Sequence, residues 1–89
     1  METRALTIKE AEKFLKQHRR HYTAPFRAIH AIGLFEGRKL HGAAILGCNK
    51  EGEAGLAHIY CDGTWQGYSL LYGTCWRAFH AMGFSKVNL

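Results

Sequence analysis

The segment over residues 61–89 constrains the fold of this 89-residue chain more than any other segment. It reads as the end of a strand, a turn with two glycines, a helix over residues 69–82 and a second strand over residues 86–89. A helix that crosses over between two strands of one sheet usually joins parallel strands, so these strands should lie parallel. Gly83 stands where a left-handed C-cap belongs. Apolar residues at helical spacing predict one buried stripe: Leu71, Cys75, Ala78, Phe79 and Met82.

The turn before this helix, with the sequence DGTWQGYS over residues 62–69, indicates an anion site. Gly63 and Gly67 let the backbone turn tightly, and Ser69 suits the N-cap or the first helical turn. Backbone N–H groups at the start of a helix point the same way, at the positive end of the helix dipole. We therefore expect the amides over residues 66–69 to bind a phosphate group.

The rest of the chain predicts one further helix and three strands. Thr7 and Glu10 fit a capping box that opens a helix running to about residue 17. Strands are expected over residues 28–35, 40–48 and 54–61, and short turns between them make an antiparallel meander. The middle one is almost uninterrupted in apolar and small residues, which favours a strand covered on both faces. The sequence thus predicts one α/β (α+β) domain over residues 1–89, with a helix, a three-strand meander, a long helix and a final parallel strand.

Composition places the chain among small globular proteins. With 47% apolar residues and one proline, it is too apolar for a disordered chain. No apolar run approaches the roughly 20 residues of a membrane helix, and no signal peptide precedes the first helix, so we expect a cytoplasmic protein. Cys48, Cys61 and Cys75 lack CxxC spacing, which favours buried reduced thiols over a disulfide or metal role.

The net charge of +5 indicates which partners the chain can attract. Basic residues concentrate in the first third: Arg4, Lys9, Lys13, Lys16, Arg19, Arg20 and Arg27. Such a patch attracts nucleic acid, an acidic protein surface or the phosphates of a cofactor. A solvated helix face that keeps a small protein soluble has the same composition.

Several short motifs resemble a known family. The turn QGYS (66–69), a helix that ends in AMGF (81–84) and the strand KVNL (86–89) look like the acetyl-CoA-binding segment of the GNAT N-acyltransferases. The motifs DGT (62–64), SLLY (69–72), CWRA (75–78) and HRRH (18–21) are closer to a phage and prophage branch similar to Mom-type DNA-modification proteins. The chain departs from the family in two places: the second glycine of the loop is missing, and relatives continue beyond the last strand.

The resemblance implies a GNAT-like fold, truncated relative to the full one, that binds acetyl-CoA as the acyl donor. The pyrophosphate would lie on the loop and the pantetheine beside the strand before it. The residues implied to bind the cofactor are Tyr60, Cys61, Trp65, Gln66, Gly67, Tyr68 and Ser69. The implied acceptor side borders the break after the first helix, with His18, Arg19, Arg20 and Arg27. A short natural variant, a dimer that completes the sheet and a fragment each account for the missing part.

Acyl transfer to an amine requires a base. Family members often carry a glutamate on the strand before the loop, but residues 54–61 include no carboxylate. His58 lies on that strand, and imidazole exchanges a proton near neutral pH, so His58 and His21 are the candidate catalytic residues. The alternatives are a hydrogen-bonded structural role for His58 and a metal site formed with His18 and His21. Our expectation is that the protein has no metal.

Two functions agree with these patterns. The first is a small acyltransferase that passes an acyl group directly to an amine on a nucleobase or a protein. The second is a non-catalytic phage-type protein that uses a degenerate GNAT fold to bind nucleic acid or a host defence protein. In both cases we expect a homodimer, because an unpaired sheet edge invites another chain. Tyr72 and Trp76 are expected to pack against the sheet rather than to stack on adenine.

Overall fold

A computed structural model describes residues 1–18, 27–48, 54–63, 65–84 and 86–88. The helices and strands are, in chain order, β1 (Glu2–Leu6), α1 (Ile8–His18), β2 (Arg27–Glu36), β3 (Lys39–Cys48), β4 (Ala54–Cys61), α2 (Trp65–Ala81) and β5 (Lys86–Asn88). The strands form one sheet in sequence order. Neighbours from β1 to β4 are antiparallel, and β5 is parallel to β4. The predicted meander and the predicted parallel strand are both confirmed.

Strand β1 is absent from the sequence prediction. It pairs antiparallel with β2, with Glu2 opposite Phe35 and Leu6 opposite Ala31. Its five residues include one glutamate and one arginine and remain largely exposed. The segment is a strand because β2 offers it an edge, and that tertiary cause leaves no local signal in the sequence.

Helix α1 begins with the predicted capping box. The Glu10 amide donates to Thr7 Oγ1 at 3.1 Å, and the Thr7 amide donates to Glu10 Oε1 at 3.4 Å. These two bonds satisfy amides that a helix start would otherwise leave without partners. The sheet-facing side of the helix buries Ala11, Phe14 and Leu15.

Strand β3 lies at the centre of the sheet and is covered on both faces, as its composition predicted. Ala44 and Leu46 belong to the α2 side of the core, and Ala43 and Ile45 belong to the α1 side. All four are fully buried. The molecule therefore has three layers, with one helix on each face of the sheet.

Helix α2 begins at Trp65, not at residue 69 as predicted. Its buried row consists of Leu71, Cys75 and Phe79, which the spacing predicted. Met82 was also assigned to this row, and that assignment was wrong: Met82 is 39% exposed. It follows the last helical residue, and its amide still donates to Ala78 O at 3.0 Å.

Gly83 ends α2 as predicted, with a positive φ of 88°. The Phe84 amide donates to Phe79 O and the Gly83 amide donates to His80 O, both at 3.1 Å. This pair of bonds is the Schellman motif, in which an apolar contact closes the helix end. The contact is the edge-to-face pair of Phe79 and Phe84, whose ring centroids are 5.6 Å apart.

Tyr72 and Trp76 do not pack against the sheet, so that prediction was wrong. Their exposed fractions are 41% and 44%. Each follows a residue of the buried row by one position, and one residue is a rotation of about 100° around an α-helix. The two rings therefore lie on the outer flank of α2.

The outer strands of the described sheet are β1 and β5. Outer strands present backbone N–H and C=O groups that can pair with another chain. The homodimer stays a prediction. Light scattering at tens of micromolar is expected to give about twice the 10.1 kDa mass of the chain, and a well-folded monomer would contradict it.

Candidate functional site

The candidate site begins where β4 ends. Strand β5 pairs with β4 over residues 54–56, so residues 59–61 lie beyond that paired stretch. The chain then turns through Gly63, whose φ of 101° favours glycine, and α2 begins at Trp65. The Asp62 amide donates to His41 O at 2.9 Å and anchors the start of this turn to β3. The end of β4 therefore leads directly to the positive end of the α2 dipole.

The first turn of α2 differs electrostatically from that of α1. It contains no acidic residue, whereas Glu10 and Thr7 fill the corresponding position in α1. Because the helix already begins at Trp65, the amide of Ser69 lies in the second turn, where α-helical N–H groups bond back by four residues. The candidate anion-binding amides therefore begin at Trp65, and of the predicted range 66–69 the amide of Ser69 lies inside the helix.

Gly67 faces the sheet in the first turn of α2. A Cβ at this position would lie 3.0 Å from Leu34 Cδ2 and 3.3 Å from Cys61 Sγ. Both distances are shorter than ordinary carbon contacts. A glycine here lets α2 approach the sheet closely, so packing alone accounts for the residue type.

The α1 face of β4 brings three of the predicted site residues together. Ala57, Ile59 and Cys61 pack into the α2 side of the core, so alternation along the strand directs His58 and Tyr60 to the opposite face. Tyr60 packs against the α1 side of the core. The predicted catalytic residue His58 and the predicted cofactor residue Tyr60 therefore share this face.

His18, predicted on the acceptor side, reaches this face from the last turn of α1. Its ring stacks on the Tyr60 ring with centroids 5.1 Å apart and planes at 16°. The Phe14 ring, one turn earlier, contacts both rings, with centroids 4.4 Å from His18 and 6.1 Å from Tyr60. Arg27 is exposed at the first position of β2. His21, Arg19 and Arg20 lie outside the described residues.

The cysteines of the site are not activated nucleophiles. Burial raises the pKa of the Cys61 thiol, and the neighbouring Asp62 charge raises it further. The Cys61 thiol donates to the Asp62 carbonyl at 3.3 Å. Burial raises the pKa of Cys75 to about 12. A thiol nucleophile reacts as the thiolate, so neither environment activates its thiol.

His41 is a residue that the sequence analysis missed. Its Nδ1 lies 3.1 Å from Asp62 Oδ1, and its Nε2 lies 3.6 Å from Glu36 Oε2. The pairing of β2 with β3 is irregular here: Leu34 lies opposite Gly42 and Phe35 lies opposite Leu40, so His41 is the extra residue on β3. Such a bulge redirects a side chain. Residues 36, 41 and 62 are brought together only by the fold, so no sequence spacing could have indicated the cluster.

A shallow groove of about 430 Å³ runs from the first turn along the outer side of α2. It is lined by Gln66, Ser69, Leu70, Gly73 and Arg77. Gly73 forms its floor, and the Arg77 guanidinium lies beside it: Nη1 is 3.4 Å from the place a Gly73 Cβ would occupy. The groove is polar at both ends and contains a cation.

Within the described ranges, no group of three or more His, Cys, Asp or Glu side chains could hold a metal ion. In the same part of the chain, neither helix combines the length and apolarity that crossing a membrane requires. Comparisons of the chain with protein families, with curated proteins and with solved structures give no match.

Proposed function

We propose that this chain is a small GNAT-like N-acyltransferase domain that binds acetyl-CoA and transfers its acyl group to an amine of a nucleobase or a protein. The observation that carries the proposal is the continuous path from residues 59–61 of β4 into the first turn of α2. A thioester arm lying along this backbone reaches the helix N-terminus with its pyrophosphate end. Among the described residues, β5 pairs with residues 54–56 of β4.

Electrostatics support a phosphate at this place. Backbone N–H groups at a helix start bind anions, and a carboxylate in the first turn would compete for them. No acidic residue occupies the first turn of the 17-residue helix α2. The chain also has a net charge of +5, which raises the local concentration of an anionic donor.

His58 is the residue we assign as the base. In the reaction, the amine nitrogen attacks the thioester carbonyl, the C–S bond breaks, the coenzyme A thiolate leaves and the base takes the amine proton. His58 lies in the middle of β4, whereas His41 lies beside Asp62, four residues further on. Four residues of a strand span about 13 Å, so His41 is near the phosphate end and serves to hold the turn. His18 and Tyr60 form the wall next to His58 on the acceptor side.

The experiment is a charge substitution on the exposed first turn. Gln66→Glu is expected to weaken acetyl-CoA binding by at least about fivefold, since two charges about 4 Å apart interact by roughly 1 kcal/mol even in water. A glutamate near a helix N-terminus stabilises the helix itself, so loss of affinity cannot come from loss of fold. Titration calorimetry measures the affinity.

Gln17→Glu is the matched control, because it makes the same charge change at an exposed glutamine near the end of α1. Its acetyl-CoA affinity should equal that of the wild type. If acetyl-CoA affinity falls equally in both variants, the effect is due to net charge and the first turn of α2 is not the phosphate site. Gly67→Asp is a poor test, because its side chain would meet Leu34 and Cys61 and disturb packing.

A non-catalytic binding protein is the second candidate, favoured by one observation: β4 carries no carboxylate. Binding of acetyl-CoA without release of free coenzyme A in the presence of amines would favour this candidate over the enzyme. Release of the thiol by the wild type, reduced in a His58→Gln variant that still binds acetyl-CoA, would favour the enzyme.

A further inference from the structure

The outer flank of α2 carries a row of aromatic rings at every fourth residue. The ring row consists of Tyr68, Tyr72, Trp76 and His80. Successive members are about 6 Å apart along the helix axis, since each residue rises about 1.5 Å. Tyr68 stacks on Tyr72 with centroids 6.3 Å apart, and Trp76 meets His80 edge-to-face at 4.7 Å. The middle two rings are among the most exposed large side chains described.

A cation lies beside the ring row. Arg77 follows Trp76 and borders the groove over Gly73. Its Nη2 donates to Thr74 Oγ1 at 3.2 Å, which holds the guanidinium against the helix. In the described part of the chain no carboxylate lies within ion-pair distance of Arg77, and α2 itself contains neither Asp nor Glu.

We propose that the ring row and Arg77 form a binding surface for single-stranded nucleic acid. Exposed aromatic faces stack unpaired bases, and this stacking tolerates any sequence. A guanidinium at the side of the stack matches a backbone phosphate in charge and geometry. A duplex keeps its bases stacked on each other and offers no base face to Tyr72 or Trp76, so the single-stranded form is preferred.

Charge favours nucleic acid over a protein partner on this surface. At helical spacing, Ser69 and Gly73 lie between Leu70 and the ring row, and Arg77 borders the same side, so Leu70 and the ring row do not form one continuous apolar patch. Protein-binding surfaces have a contiguous apolar core with few charges. The net charge of +5 complements a polyanion.

The surface goes beyond the proposed acyl transfer. Helix α2 covers the face of the sheet opposite to α1, whereas His58 lies on the α1 face. Nucleic acid on the ring row is therefore held away from the assigned base. The proposal can fail or succeed independently of the transferase proposal.

The test is fluorescence anisotropy of a labelled oligothymidylate about a dozen nucleotides long, titrated with the full chain at low salt. Trp76→Leu keeps an apolar side chain and removes the ring. It should weaken binding about tenfold, within the 1–3 kcal/mol that one stacked base contributes. Arg77→Gln should lower the slope of log K against log salt by about 0.7, the value for one phosphate of a single strand.

Matched controls separate this surface from general charge. Arg38→Gln removes one exposed cation from the β2–β3 turn, and it should leave the salt slope nearer the wild-type value than Arg77→Gln does. Acetyl-CoA affinity should remain unchanged in Trp76→Leu. An Arg19→Ala, Arg20→Ala double variant tests the alternative that the N-terminal basic residues carry the contact.

Three results would overturn the proposal. One is the absence of detectable oligothymidylate binding at low salt. Another is binding that persists in Trp76→Leu and Arg77→Gln but disappears in the Arg19, Arg20 double variant. The third is a wild-type dimer in light scattering that Arg77→Gln converts to monomer, because the surface would then face a second copy of the chain.

Discussion

Replacing Phe79 by alanine is expected to lower the free energy of unfolding by about 3–5 kcal/mol, the usual range for a buried phenylalanine. Phe79 is fully buried and packs with the α2 side of the core and with Phe84. Domains of this size have a total stability of roughly 5–13 kcal/mol. The substitution therefore removes a large share of it, and urea denaturation followed by circular dichroism measures the loss.

Gly55 shows why this ring matters, because a Cβ there would lie only 2.6 Å from Phe79 Cδ1. Gly55→Ala should destabilise the wild type by about 1–3 kcal/mol, as overpacking does. In the Phe79→Ala background the ring that a Cβ at residue 55 would meet is absent. Gly55→Ala should therefore lower the free energy of unfolding much less in that background. An equal cost in both backgrounds would contradict this packing.

Gly73→Ala is the control for the glycine substitution. A Cβ at Gly73 meets only the flexible Arg77 guanidinium, at 3.4 Å. Because glycine inside a helix is less favourable than alanine by roughly 0.5–1 kcal/mol, Gly73→Ala should stabilise the protein. The substitution of glycine by alanine is therefore expected to destabilise the protein at Gly55 and to stabilise it at Gly73.

Stability is also expected to fall steeply above pH 9 because of Cys75. Burial raises the pKa of this thiol from the ordinary 9.0 to about 12 in the folded protein. Between these values the unfolded chain loses the thiol proton and the folded chain keeps it. The contribution of the Cys75 thiol to the free energy of unfolding is therefore complete below pH 9. It is lost as pH rises toward 12, at roughly 1.4 kcal/mol per pH unit.

Cys75→Ala isolates this effect from the other groups that titrate at alkaline pH. The variant is less stable at neutral pH, because it leaves a small cavity, but its stability should decline less steeply above pH 9. The measurement is urea denaturation of both proteins at a series of pH values. Parallel declines would show that the Cys75 thiol does not provide the alkaline sensitivity.

Local signals predicted those parts of the fold that local interactions determine. Thr7 and Glu10 form a capping box within four residues, and Gly83 ends α2 with a positive φ that glycine favours. Strand β3 was predicted to be covered on both faces because its composition admits no polar face. In each case the cause of the structure lies inside the segment itself.

The errors have tertiary causes. Strand β1 exists through pairing with β2, and α2 extends back to Trp65 because Gly67 can approach Leu34 and Cys61. The Tyr72 error is the exception, because its cause is local: Leu71 was already predicted to be buried, and a rotation of about 100° per residue places Tyr72 on the flank of that row. His41 meets Asp62 and Glu36 only after three strands have paired.

Only part of the candidate site could be predicted in the same way. The turn before α2 and the position of His58 on β4 follow from the sequence, because both depend on the order of residues along one stretch. The contact between His18 and Tyr60 joins residues 42 positions apart and depends on how α1 lies over the sheet. Sequence spacing contains no such information.

The central position of β3 has a consequence for how the protein tolerates change. Its alternating side chains divide the core into an α1 half and an α2 half with no shared residue. Substitutions that do not share partners add nearly independently. The half beneath His58 can therefore be remodelled while the half that seats the first turn of α2 stays intact, so that the two sides of the sheet are free to diversify at different rates.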